Sequence, residues 1–195
     1  MNTNQKLALC LIVKPSDREA ELLERLLSGK VKEFAVESQK NIDLSKVEPL
    51  HKYVDAIYIT ITGENEKCEE VTKKYGAIVS HMKWNNDFSE ARNFNFSQVS
   101  KEYDWIFWCD SDDMVTNPHL LKTILGKCDE EIVDAVVMKY LYDFDCEGSC
   151  MVEHLKTRIV KNDGCVKWAG EVHEDFVNNR QILPYLNEEI EIIHL

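Results

Sequence analysis

The sequence predicts an α/β domain with a mostly parallel sheet, helices on both faces and a mixed, hairpin-bearing C-terminal portion. Three observations predict it. Short apolar runs alternate with amphipathic helical patterns through the first half of the chain. An aromatic-rich apolar run, Trp105–Cys109, stops abruptly in Asp110, Ser111, Asp112 and Asp113. Turn signals then break the C-terminal third into short segments.

Bulk properties narrow the class. A chain of 195 residues with 44% hydrophobic and 30% charged content suits one globular domain with a substantial core. We read residues 1–195 as that domain, with a polar insertion over residues 30–54. The net charge is −12 and no basic stripe is present, which argues against nucleic acid as a partner. The longest apolar run, Leu7–Val13, is too short to span a bilayer and lacks a signal-peptide cleavage pattern. Seven irregularly spaced cysteines fit a reducing, cytoplasmic setting. Cys146 and Cys150 form the one close pair, without the second pair that a zinc site needs.

The elements follow in order. Leu7–Val13 reads as a buried strand. Ser16 or Asp17 can cap the helix after it, which carries Leu22, Leu23, Leu26 and Leu27 and stops near Gly29. Lys30–Val54 is helical or irregular. Asp55–Ile61 is a second strand, Asn65–Tyr75 an amphipathic helix ended by Gly76, and Ala77–His81 a third strand. Asp87 and Glu90 have capping-box spacing, so a helix starts at Phe88, with Phe88, Ala91 and Asn95 on one face and Arg92 in its second turn. Trp105–Cys109 is the next strand, Asn117 and Pro118 start a helix through Lys127, and Asp134–Tyr142 is a further strand. Glu147–Ser149 is a turn. His154–Val160 and Cys165–Ala169 read as a hairpin around Asn162, Asp163 and Gly164. A last strand, Glu189–Leu195, reaches the final residue, so we expect the chain to be cut from a longer protein.

The carboxylates after Trp105–Cys109 carry the chemistry. Like charges that close repel, so a proton or a cation must separate them, and hard oxygen ligands select magnesium, manganese or calcium, of which we expect Mn2+ or Mg2+. Ligands in open α/β sheets bind outside the carboxyl ends of the strands, where this cluster falls. Asp110 and Asp112 would hold the ion, while Asp113 also suits a simple turn or helix start. Neither a P-loop nor G-x-G-x-x-G follows the first strand, so Arg92 and Arg158 are the candidate partners for a phosphate. His173, Glu174 and Asp175 form a second polar cluster suited to general-base work. His194, on an apolar strand, reads first as a core or edge histidine.

Together, W-N-N-D-F-S-E-A-R-N (Trp84–Asn93), D-S-D (Asp110–Asp112) and G-E-V-H-E (Gly170–Glu174) resemble family 2 glycosyltransferases of the GT-A, Rossmann-like fold. The nearest branch holds lipopolysaccharide-core glucosyltransferases and bacteriocin-peptide S-glycosyltransferases. The resemblance covers nearly the whole chain outside Lys30–Val54. It implies an inverting hexosyltransferase that uses a nucleotide-diphosphate sugar, usually UDP-linked, and a divalent metal. The acceptor would be a glycan, a lipid-linked glycan or a peptide, through a hydroxyl or thiol. By the same resemblance Asp110, Asp112 and His194 would reach the metal. Asp87, Arg92, Asp110, Ser111, Arg158 and Thr62 would line the donor, and Glu174 would be the base with His173 beside it.

Two departures stand out. The family's second strand commonly ends V-D-T-G-S-T-D, whose first Asp holds uracil; Ile61 stands there, with no hydrogen-bond acceptor. The first strand usually continues K-N-E, and here reads Lys14, Pro15, Ser16. Two other readings fit parts of the pattern: a haloacid-dehalogenase-like phosphatase, which also has D-x-D after an apolar strand, and a catalytically degenerate sugar-nucleotide-binding domain.

Overall fold

The computed structural model describes residues 5–30, 44–130 and 133–194. The first half alternates strand and helix: β1 (Leu7–Val13), α1 (Asp17–Ser28), β2 (Ala56–Ile61), α2 (Glu66–Lys74), β3 (Ile78–His81), α3 (Phe88–Ser97) and β4 (Trp105–Trp108). The second half is richer in strands: β5 (Asp113–Val115), α4 (Leu121–Glu130), β6 (Ala135–Phe144), β7 (Cys150–Lys161), β8 (Val166–Ala169), β9 (Asp175–Asn178) and β10 (Pro184–His194).

Eight strands form one sheet in the order β3-β2-β1-β4-β7-β6-β10-β5. The first four run parallel. β7 is antiparallel to both neighbours, β10 is parallel to β6, and β5 is antiparallel to β10. Side chains alternate across β1: Leu7, Leu9, Leu11 and Val13 join the core under α1, α2 and α4. Ala8 and Cys10 face the opposite side, where α3 and the two-stranded β8–β9 ribbon lie. Small side chains there leave room for Tyr58, Trp108 and Trp168.

The helix ends match the local signals. Ser16 Oγ accepts from the Glu19 amide and caps α1. Gly29 closes α1 in the left-handed region at φ 67°, and an added Cβ would lie 2.6 Å from the Glu48 carbonyl carbon. Asn65 caps α2 and Asp87 caps α3. Inside α3, Asn95 Nδ2 donates to Thr60 Oγ1 at 3.0 Å, which fixes the helix against β2.

Several expectations are corrected. The hairpin of 154–160 with 165–169 does not form: β7 pairs with β6 and β4, and β8 pairs with β9. At buried Ile159 and Val160 both sides of β7 are already taken, by β6 and β4, so β8 has no free side there to pair with. The last strand starts earlier, at Pro184, and carries a bulge between Asn187 and Glu191. Strands β5 and β9 are short segments with no sequence signature of their own. Residues 31–43 of the expected insertion lie outside the described residues. Its last part is not simply polar surface, because Leu50 is buried in the core and Val47 bridges to Thr116. No helix among the described residues is long and apolar enough to cross a membrane.

One ion pair ties the end of the ribbon to the sheet. Arg180 meets Asp134 through two hydrogen bonds, at 2.9 and 3.0 Å, and the Leu183 amide donates to the same carboxylate. The Arg180 hydrogen bonds hold the Asp134 carboxyl down at about 2, from 3.8. A depressed carboxyl stabilises the fold above its unfolded value and loses that contribution as pH falls through the folded value. Replacing Asp134 with Asn should therefore flatten the acid side of the stability curve between about pH 4 and pH 2. Urea unfolding at stepped pH checks this; an unchanged acid limb would exclude Asp134 as its source.

Candidate active site

The parallel strands point their carboxyl ends at one edge of the sheet, and the Asp110–Asp113 turn follows β4 there. Asp113 closes that turn: its amide donates to the Asp110 carbonyl at 3.1 Å, and its Oδ2 accepts from the Asp110 amide at 3.0 Å. Asp113 also begins β5, whose pairing with β10 sets His194 opposite Asp113. His194 Nδ1 thus lies 3.3 Å from Asp113 Oδ1 and 3.6 Å from Asp112 Oδ1. One ligand atom from each of Asp112, Asp113 and His194 lies within 4.8 Å of the others.

Each carboxylate has a different neighbour. Asp113 pairs with Arg158 at 2.9 Å, and both side chains are 0% exposed. Asp110 turns away to Arg92 Nη2 at 2.7 Å. Asp112 has only His194 within ion-pair distance among the described residues. Burial, then the nearby Asp113 and Asp110, push its carboxyl up to about 6, against the pull of His194. The hydrogen bond to Asp113 raises His194 above the usual histidine value.

Arg92 joins the two polar clusters. Its Nε donates to Glu174 Oε1 at 2.6 Å while Nη2 holds Asp110. The guanidinium lies 4.5 Å from the Trp108 ring centre and 5.0 Å from that of Trp168. Burial works against this charge, and Asp110 and Glu174 outweigh it, so Arg92 is raised and Asp110 is lowered.

Glu174 stands on the turn between β8 and β9. Gly170 enters that turn at φ 105°, a region costly for other residues, and His173 itself sits at φ 58°. The Phe88 amide donates to the Glu171 carbonyl at 3.1 Å, which ties the turn to the start of α3. Asn93 secures β8: it donates to the Trp168 carbonyl and accepts from the Trp168 amide, both at 2.9 Å. A cavity of about 300 Å³ opens beside the turn, lined by Trp108, Leu155, Lys156, Trp168, His173 and Glu174 among others. A second, more open cleft of about 660 Å³ lies at the ends of β2 and β3, lined by Thr62, Gly63, Glu64, His81 and Lys83 among others. Ile61 is buried beneath it.

The structure redistributes the sequence-derived residues. It brings together Arg92, Asp110 and Glu174, and separately Asp112 and His194. Asp113 takes the place expected of Asp110 in the three-residue cluster, because the turn aims Asp110 at Arg92. Arg158 is not available to a phosphate: it is fully buried beneath Asp113. Asp87 caps α3 through one carboxylate oxygen, Oδ1, which accepts from the Glu90 amide and the Ser89 hydroxyl. Ser111 is hydrogen-bonded to Glu19, and the Thr62 hydroxyl donates to the Val13 carbonyl while lining the larger cleft. Arg92 is buried, whereas Phe88 is the exposed member of its expected face, packed edge-on against Trp84.

Three positioning residues had no role in the sequence reading. They are Asn93, Glu19 and Arg25, whose Nη2 donates to the Asp112 carbonyl at 3.3 Å. The adjacency of Asn93 to Arg92 in the motif was the available signal. Nothing local marked Glu19 or Arg25.

Replacing Asn93 with Ala should leave both Trp168 backbone groups without their side-chain partner and cost about 1–3 kcal/mol. Amide exchange should quicken through β8 and the Gly170–Glu174 turn more than in β1. Equal protection in both places would show that Asn93 does not hold the ribbon.

The family model Glycosyl transferase family 2 matches residues 36–186. The SPbeta prophage-derived glycosyltransferase SunS of Bacillus subtilis (strain 168) is 29% identical over 112 residues, covering 55% of this chain and 24% of that protein. The glycosyltransferase SunS of Bacillus phage SPbeta matches equally, so the chain spans 24% of the length of the curated relatives it matches. Among solved structures, the 4-diphosphocytidyl-2C-methyl-D-erythritol synthase of Anaerococcus prevotii shares the fold, with TM-score 0.51 and 12% identity over 81% of this chain and 72% of that one. The S. aureus TarS 1–349 structure aligns with TM-score 0.48 at 16% identity, covering 72% of this chain and 38% of that one. The phosphatase alternative falls with the family match, and β1 ends at Val13, followed by Lys14, without the carboxylate expected there of such an enzyme. The motif resemblance and the family model agree: this chain belongs to glycosyl transferase family 2.

Proposed function

We propose that the chain moves a hexose from a nucleotide-diphosphate sugar, UDP-linked by preference, to an acceptor hydroxyl or thiol with inversion at the anomeric carbon. The observation that carries the reading is the packing of Asp112, Asp113 and His194 ligand atoms within 4.8 Å, one buried chain of contacts away from Glu174. Two carboxylate oxygens and an imidazole nitrogen suit Mn2+ or Mg2+. Asp112, with its proton affinity raised by burial and its like-charged neighbours, is the ligand with most to gain from a cation. These three residues would hold the ion, which supplies charge stabilisation for the departing diphosphate.

The remaining roles fall to the chain's own groups. The cleft at Thr62, Gly63 and His81 is the place for the nucleotide base, with Ile61 offering it no acceptor. The smaller cavity takes the acceptor. There Glu174 removes the acceptor proton, with His173 on the same wall. Arg92 fixes the direction of the Glu174 carboxylate and keeps Asp110 beside it, so the base and the donor side move as one body. A glycan, a lipid-linked glycan or a peptide can supply the nucleophile.

A thermal-shift panel of UDP- and GDP-hexoses, with and without Mn2+, tests the donor and the metal together. One nucleotide sugar should raise the unfolding temperature in the presence of Mn2+, by about 2–4 °C for each kcal/mol of binding linkage in a chain this size. Asp112→Asn and His194→Ala should each remove that response. Glu174→Gln should keep the donor response and slow transfer by about 10²–10⁴-fold. A wild-type chain indifferent to every donor would instead support the catalytically degenerate alternative, and donor turnover under chelation would refute the metal's part.

A further inference from the structure

The centre of the acidic turn is held from α1. Its two ends are tied to each other: the Asp113 amide donates to the Asp110 carbonyl, and Asp113 Oδ2 accepts from the Asp110 amide. Between them, Ser111 and Asp112 belong to neither β4 nor β5. Two side chains of α1 reach these residues. Glu19, in the first turn of the helix, accepts from the Ser111 hydroxyl. Arg25, in the last turn, donates through Nη2 to the Asp112 carbonyl at 3.3 Å. That carbonyl lies in the planar peptide unit that joins Asp112 to Asp113, so turning it swings the two carboxylates relative to each other.

Stability alone does not account for this arginine. Arg25 is 2% exposed and is buried on α1 together with Ala20, Leu23, Leu26 and Leu27. Among the described residues its side chain hydrogen-bonds to a neutral carbonyl, and its Nε is buried without a partner. Burial lowers its proton affinity, although Asp112 and Asp113 pull the other way. A charge in that position gives up solvation that no ion pair returns. A methionine would fill similar space among the leucines without that cost. What the arginine adds is a grip on the Asp112–Asp113 peptide, which the turn uses and the core does not.

We propose that Arg25 is a positioning residue for the divalent ion: from α1 it holds the Asp112–Asp113 peptide so that both carboxylates and His194 Nδ1 converge on one point, with Glu19 steadying Ser111 beside it. This rests on the metal site proposed above and adds the group that sets the angle between its ligands. Two effects of the guanidinium oppose each other. Its charge repels a nearby cation, and its hydrogen bond preorganises the ligands. The charges that act most on the Asp112 carboxyl are those of His194, Asp113 and Asp110. The guanidinium therefore stands behind the turn, on the carbonyl side, and not among the ligand atoms. From there its grip on the peptide outweighs its repulsion of the ion.

The test uses the full chain and Mn2+ alone, without a sugar nucleotide. Electron paramagnetic resonance reads free Mn2+, and urea unfolding in EDTA reads the stability of the metal-free chain. The wild-type chain should bind Mn2+, and His194→Ala should weaken that binding. Arg25→Met should raise the Mn2+ dissociation constant by about 10–100-fold, the effect of losing a group that orients metal ligands. Its urea midpoint should stay at or above the wild-type value. Arg25→Lys keeps a charged donor and should recover part of the affinity, which a change in packing alone would not do. Mn2+ binding by Arg25→Met that equals the wild type would overturn the proposal. Tighter binding would overturn it too, and would show the arginine acting as a repelling charge. So would an Arg25→Met chain that unfolds at lower urea, since the arginine would then serve the core, or an Arg25→Lys chain that binds no more tightly than Arg25→Met. Absence of Mn2+ binding in the wild-type chain, or binding that His194→Ala leaves unchanged, would strike the metal reading itself, and the proposal with it.

Discussion

Three carboxylates on one four-residue turn cannot share a buried sheet edge unless cations separate them, and the rest of the site follows from that requirement. Each carboxylate is answered from a different element. Arg158 comes from β7, Arg92 from α3 and His194 from the end of β10. Removing one partner of such a buried pair costs about 3–5 kcal/mol, so the arrangement holds the strands in register as well as shaping the site. Asp112 is the member left least compensated, and a divalent ion would complete the balance.

Arg92 gives the site its geometry. It is buried between two tryptophans and divided between Asp110 and Glu174. That arrangement joins the end of a parallel strand to a turn of the separate β8–β9 ribbon. The ribbon has few ties of its own to the sheet, and Asn93, one residue along α3, secures it through both backbone groups of Trp168. The motif Trp84–Asn93 is therefore a bracket: its cap starts the helix, its Arg spans the clusters and its Asn holds the ribbon.

The element order was largely legible because it rests on local physics. Apolar runs buried on both faces, capping residues and left-handed glycines each act within a few residues, so β1, α1, β2, α2, β3 and α3 fall where their signals stand. The second half was less legible because its strands pair over long separations. β7 carries enough apolar residues to announce a strand but not which neighbours it takes, and β5 is too short to announce itself. The same limit applied to the site. Asp110, Asp112, Arg92 and Glu174 were readable as chemistry-bearing residue types, while the partition of Asp110 to Arg92 and Asp113 to His194 was not.

The sequence by itself determined the alternation of strand and helix, the presence of an acidic turn after Trp105–Cys109 and the family motifs, because each depends on neighbouring residues. Only the tertiary structure decided which carboxylate meets which cation. It brought His194 beside Asp113 by antiparallel pairing across the sheet and placed Arg158 beneath the turn. Those outcomes depend on strand order and on burial, and neither is written in any short stretch of the chain.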